Sequence, residues 1–158
     1  MREVLFRGKR TDNGEWVCGY YTKARYFLNK KEMHIIFEPD VEAFPHCEFT
    51  GYEEVLPETV GQYTGLTDKN GKRIFEGDIL DVSSDVAYGG VAVHRLGYFV
   101  VEFHNGCFMK SALDDPQLSF FDNAKRKGLY HFISTDIHKI VGNIYDNLEI
   151  LKGGEENG

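Results

Sequence analysis

The stretch from Glu58 to Leu80 concentrates the turn-forming residues of the chain. Gly61 and Gly65 punctuate the β-prone Gln62-Tyr63-Thr64, Asp68-Lys69-Asn70-Gly71 offers a reversal, and Glu76-Gly77-Asp78 leads into the alternation Ile79-Leu80-Asp81-Val82. It sits mid-sequence and is expected to join two halves of the molecule. Each of its polar residues also has a sufficient backbone duty: Thr64-Gly65 turns the chain, Asp68 to Gly71 reverses it, and Gly77-Asp78 starts a strand.

Short strands are expected on both sides. Val4 to Arg7 and Trp16 to Tyr21 flank Asn13-Gly14, the favoured pair for a two-residue reversal with positive φ. Tyr26-Phe27-Leu28 and His34 to Phe37 bracket a charged tip at Asn29 to Glu32 and read as a second hairpin. Pro39 and Pro45 make the segment up to Thr50 loop or edge strand. Beyond the centre come Ile79 to Val82, a bend at Tyr88-Gly89-Gly90, Val91 to His94, and the clearest hairpin, Tyr98 to His104 and Cys107 to Lys110 joined by Asn105-Gly106. One short helix is expected from Asp115 to Lys127: Asp115 caps it, Pro116 suits its first turn, Lys125, Arg126 and Lys127 its last, and Gly128 the position just past its end. Tyr130 to Ile133 and Lys139 to Tyr145 close the chain as strands, before a mobile acidic tail. The expected organisation is an N-terminal subdomain of hairpins over residues 1–57, a connecting stretch over 58–78, a small barrel over 79–152 and the tail over 153–158.

Composition agrees with a β-rich globule. At 158 residues with 42% hydrophobic content, the chain can bury a core without a metal or disulfide staple. Nine Tyr and twelve Phe suit pleated, half-buried surfaces, and 17 glycines against four prolines suit many turns. The net charge of −7 works against general affinity for phosphate backbones while leaving local basic patches open. Cys18, Cys47 and Cys107 form no close pair and are odd in number, which fits a reducing compartment. Met1 to Arg7 lacks the apolar core of a signal peptide, and no later run approaches membrane-spanning length; a cytoplasmic location without membrane association is expected.

Three blocks together resemble a known family. Arg2 to Arg7 with Trp16-Val17-Cys18-Gly19-Tyr20, Glu58 to Leu66 through Asp68-Lys69-Asn70-Gly71 to Phe75-Glu76-Gly77-Asp78-Ile79, and Val141-Gly142-Asn143-Ile144-Tyr145-Asp146-Asn147 look like the YopX family of phage and prophage proteins. The central block is the specific one. Where the family often continues with Pro after Asn147, this chain has Leu148. The resemblance implies a mainly β protein whose C-terminal part is an SH3-type barrel, from a phage or prophage of a Gram-positive-type host. It brings no assigned activity and no catalytic residues.

Candidate chemistry is sparse. His104 and Cys107 stand across a tight turn and with His94 or His131 could share a zinc ion, yet the chain lacks the paired Cys-x-x-Cys or His-x3-5-His elements of structural zinc sites. Asp68 to Gly71 opens like a calcium loop without its later oxygen ligands, and reads as a turn. Glu76 and Asp78, with Asp81, Asp85, His94, Lys72 or Arg73, could make a metal-dependent nuclease or hydrolase site. The competing reading is that Asp78 accepts backbone N–H groups and fixes a turn. No phosphate loop, nucleophile elbow or dinucleotide fingerprint is present, and no cofactor is expected.

The expectation is therefore a noncatalytic, mainly β accessory protein of small barrel units. It would bind a protein partner or associate with itself through aromatic side chains, with Tyr88, Tyr98, Phe108 and Tyr130 as candidates. Unpaired sheet edges would favour a homo-oligomer. The alternative is a nucleic-acid binder using Lys23, Arg25, Lys125, Arg126 and Lys127 as a local patch.

Overall fold

A computed structural model describes residues 3–25, 28, 30–37, 51–82, 84–88, 91–95, 97–112, 129–130, 138–147 and 150. The architecture is mainly β and antiparallel. The chain divides into two compact units, Met1–Gly65 and Leu66–Gly158, and the division falls inside the turn-rich central stretch. Among the described residues, no helix is long and apolar enough to cross a membrane.

The first unit is built on β1 (Phe6–Lys9), β2 (Trp16–Arg25), β3 (Glu32–Phe37), β4 (Tyr52–Glu54) and the start of β5 (Gly61–Thr67). These strands stand in the order β4-β3-β2-β1-β5, with β6 (Arg73–Phe75) following β5. The first reversal differs from the tight turn expected at Asn13-Gly14. Arg10 N–H donates to Glu15 O at 2.9 Å, enclosing a four-residue loop in which Gly14 alone takes positive φ, +72°. Asn13 contributes its side chain instead, Oδ1 accepting the Glu15 N–H at 2.9 Å. That side-chain bond and the Arg10–Asp12 pair favour the wider loop.

The second strand runs four residues further than expected, to Arg25, and pairs with β3 from Tyr20↔Phe37 to Arg25↔Glu32. Gly19 marks where this pairing begins. A Cβ there would lie 1.8 Å from Phe37 O, so only glycine lets the two backbones close. Among the described residues, Leu5, Ile35, Ile36, Val55 and Tyr63 are the buried hydrophobic side chains of this unit.

In the second unit β7 (Asp78–Asp81), β10 (Tyr98–His104), β11 (Cys107–Ala112), β12 (Leu129–Tyr130) and β13 (Lys139–Asn143) form a sheet in the order β12-β11-β10-β7-β13. A separate hairpin joins β8 (Ser84–Tyr88) to β9 (Val91–Arg95). The hairpin over Asn105-Gly106 has the expected register, His104 opposite Cys107, with both turn residues at positive φ. Ile74, Leu80 and Val101 form a buried cluster, with Leu66, Val82 and Ile140 packed against it.

Neither large sheet closes on itself among the described residues: β4 and β6 edge the first, β12 and β13 the second. The barrel expected over 79–152 is corrected to an open sheet there, because β12 offers only Leu129 and Tyr130 to its neighbour and nothing described carries the ladder on to β13. The last strand ends at Asn143 rather than Tyr145, since Asn143 Oδ1 accepts the N–H groups of Tyr145 and Asp146 and turns the chain. The helix expected from Asp115 to Lys127, the strand at Tyr26-Phe27 and the tail 153–158 lie outside the described residues.

Candidate functional site

The central stretch spends its polar side chains on backbone. Asp68 is buried; its Oδ1 accepts N–H groups of Asn70 (2.8 Å) and Lys72 (2.9 Å), and its Oδ2 accepts that of Ile140 (3.1 Å). Burial by itself would raise the carboxyl, but the bonds from Ile140, Lys72 and Asn70 outweigh it and hold it below the usual carboxylate range. Asp78, also buried, accepts the Phe75 N–H at 2.8 Å, the turn-fixing role anticipated for it. Gly77 takes φ +80°, where an L side chain is strained, and bonds to both Val101 O and Ile144 N–H. Thr59 Oγ1 accepts the Lys9 N–H and donates to Leu56 O. Asp68 to Gly71 is thus a turn tied to β13, and Asp78 is committed to its own turn.

The other candidates sort by geometry. His104 and Cys107 do face each other, and the thiol donates to His104 O at 3.3 Å. No group of three potential metal ligands gathers among the described residues, His131 lying outside them. Of the aromatic candidates, Tyr98 is exposed and pairs with Asp81, while Phe108 stacks edge-on against the exposed Phe103, centroids 5.0 Å apart. Phe108 stands opposite Phe103, and strand alternation puts Tyr98 on the other side of the sheet, so one groove does not hold both. Tyr130 is placed by its backbone opposite Lys110, and Tyr88 opposite Val91 on the separate hairpin. Lys125, Arg126 and Lys127 lie outside the described residues.

One buried polar pair escaped the sequence reading. Lys110 Nζ lies 2.9 Å from His138 Nε2 and 5.0 Å from the centre of the Phe99 ring. Burial lowers the pKa of the ammonium. Lys110 alternates with Phe108 on one strand, but nothing local announces that residue 138 will meet it.

The side chains best placed to meet another molecule are on the first unit. The β1–β2 register sets Arg7 opposite Cys18 and Lys9 opposite Trp16. Their cations approach the indole ring, Arg7 Cζ at 4.8 Å and Lys9 Nζ at 5.5 Å from its centre. Cys18 and Tyr20 follow Trp16 on the same side of β2 by alternation. Tyr20 stands opposite Phe37, and Phe37 opposite Tyr52, so three aromatic side chains line up across β2, β3 and β4. Phe37 and Tyr52 meet edge to face at 6.3 Å, and the two tyrosines are 51% and 40% exposed.

On both sides of the β2–β3–β4 sheet several cations are matched by carboxylates. Arg10 Nη2 lies 2.7 Å from Asp12 and 3.1 Å from Glu53, and its hydrogen bond holds the Asp12 carboxyl below the ordinary range. Lys31 pairs with Glu54 at 3.0 Å and Lys23 with Glu32 at 3.4 Å. Lys23, proposed for a nucleic-acid patch, is therefore partly neutralised.

Two antiparallel sheets that stay open among the described residues, signature residues used in turns, and an aromatic row with two exposed tyrosines define a β protein whose specific sequence blocks serve its fold. The chain belongs to the YopX family: the family model for YopX protein matches residues 5–152. It is also similar to the crystal structure of protein EF1440 from Enterococcus faecalis, with a TM-score of 0.55 and 25% sequence identity over 96% of this chain and 99% of that one. No curated protein matches it.

Proposed function

We propose that the protein is a noncatalytic binding module whose contact surface is the row Tyr20, Phe37 and Tyr52, flanked by Trp16 with Arg7 and Lys9. The observation that carries this reading is the alignment of three aromatic side chains across adjacent strands, with Tyr20 and Tyr52 exposed on either side of the half-buried Phe37. Tyrosine, tryptophan and arginine are the residues on which binding free energy concentrates at protein interfaces; tyrosine and tryptophan bury large areas while losing few rotamers, and arginine brings a planar fork of donors. The Glu54 carboxylate, on the same side as the row and paired with Lys31, favours a protein partner over a phosphate backbone. A phage or prophage accessory role, a cytoplasmic location in the host and self-association through open sheet edges complete the proposal. The strand order β13-β7-β10-β11-β12, in which the last strand returns beside the first, supports an SH3-type reading of the second unit.

The test is affinity capture from host cells with the unaltered chain and with the double variant Tyr20→Ala, Tyr52→Ala, alongside sedimentation of each purified protein. A partner, or a second copy of the chain, held by the first and weakened roughly 30-fold or more in the second supports the reading, since one hot-spot aromatic is worth about 2 kcal/mol. Equal recovery and equal sedimentation of both overturn it. Retention on DNA or RNA at low salt, weakening steeply as salt is added, would favour the nucleic-acid alternative.

A further inference from the structure

The opposite side of the β2–β3 pair holds a second arrangement. Tyr21 and Lys23 alternate to that side on β2, Glu32 and His34 on β3, with Lys23 directly opposite His34. The Tyr21 phenol oxygen lies 2.6 Å from His34 Nδ1. His34 Nε2 lies 3.6 Å from Glu32 Oε1, and Lys23 Nζ approaches the same carboxylate oxygen to 3.4 Å. Phe6 packs on the tyrosine ring with centroids 5.3 Å apart, and the imidazole lies 5.8 Å away on a tilted plane. The histidine side chain is 17% exposed and Tyr21 is half-buried, so the array is held yet reachable.

With the imidazole proton on Nε2, the nitrogen nearer Glu32, the Nδ1 lone pair accepts from the phenol. A hydroxyl bonded to an unprotonated imidazole nitrogen is the arrangement that activates oxygen nucleophiles. Lys23 and Glu32 offset each other's charge. Among the described strand residues, the other charged groups on this side are Arg25 on β2 and Glu53 on β4, and Arg10 holds Glu53. The approach to the phenol oxygen thus suits an uncharged electrophile.

We propose that Tyr21 is an activated phenol, a stoichiometric modification site for activated acyl donors such as esters and thioesters. The phenol oxygen attacks the acyl carbon while its proton passes to His34 Nδ1. The bond to the leaving group then breaks, and the alcohol or thiol departs with that proton. A Tyr21 O-acyl ester and neutral His34 remain. His34 acts as the base.

The experiment treats the full chain with p-nitrophenyl acetate, follows nitrophenol release, and maps acetyl groups by peptide mass spectrometry. Tyr20 and Tyr52 serve as internal references, being 51% and 40% exposed. Tyr21 is expected to acetylate roughly 100-fold faster than either, the usual minimum contribution of a positioned base. Tyr21→Phe removes the fast phase, and His34→Gln brings Tyr21 down to the reference rate. Labelling that follows exposure, with Tyr20 or Tyr52 ahead of Tyr21, overturns the proposal. An unchanged Tyr21 rate in folded His34→Gln overturns it as well. The comparison among the three tyrosines of the unaltered protein decides the matter even if a variant does not fold.

Discussion

Asp68 shows how one carboxylate can anchor a turn to a distant strand. It accepts bonds from Asn70 and Lys72, close in sequence, and from Ile140, on β13. Replacing it with alanine strands three N–H groups and should cost about 2–4 kcal/mol, read as a lower urea midpoint. Because its folded pKa is lowered, the stabilisation is full above the ordinary carboxylate value near about 4 and is lost as pH falls through the folded value. Asp68→Asn should lack this part of the acid destabilisation. Lys110 has the same pH sign for a different reason, a buried charge rather than a bonded one. Burial lowers its pKa, so the unfolded chain binds the extra proton between the folded value and the ordinary one near about 10.4, and stability rises with pH through that window. Urea denaturation at stepped alkaline pH should show the rise in the unaltered protein and not in Lys110→Met.

Among elements, the β2–β3 pair holds the most consequence. It places the aromatic row on one side and the Tyr21–His34 pair on the other, and both depend on a single register. A one-residue slip would exchange the two sides. Gly19 guards that register, because a methyl group would meet Phe37 O at 1.8 Å. Gly19→Ala should therefore cost on the order of 3 kcal/mol or more, and hydrogen exchange should show the loss of protection concentrated in β2 and β3. By contrast, the Asn105-Gly106 hairpin was legible in advance. Its register follows from local chemistry, since both turn residues take the left-handed conformation that Asn and Gly tolerate best. The Asn13-Gly14 pair carries the same two letters but closes a wider loop, because the Asn13 side chain and the Arg10–Asp12 pair compete for the local geometry.

For the molecule as a whole, the formal charge of −7 and the ion pairs at Arg10, Lys23 and Lys31 work against general affinity for phosphate backbones. The Tyr20→Ala, Tyr52→Ala variant should keep its fold, with urea midpoint and β-type circular dichroism close to those of the unaltered protein, because both side chains are substantially exposed. A loss of partner binding in a protein that keeps that midpoint separates a surface role from a structural one.

Local chemistry let the sequence determine the β class, the main turns and the family membership, because a turn depends on the conformations open to a few adjacent residues. Asp78 and Asp68 were readable as turn anchors for that reason. Tertiary structure alone decided which distant backbones those residues reach, as with Thr59 on Lys9 and Asp68 on Ile140. It alone set Tyr98 and Phe108 on opposite sides of their sheet, aligned Tyr20 with Phe37 and Tyr52, and brought Lys110 to His138. Such encounters depend on strand order and register across long loops, and those are settled when the pleated faces are buried together rather than by any short run of residues.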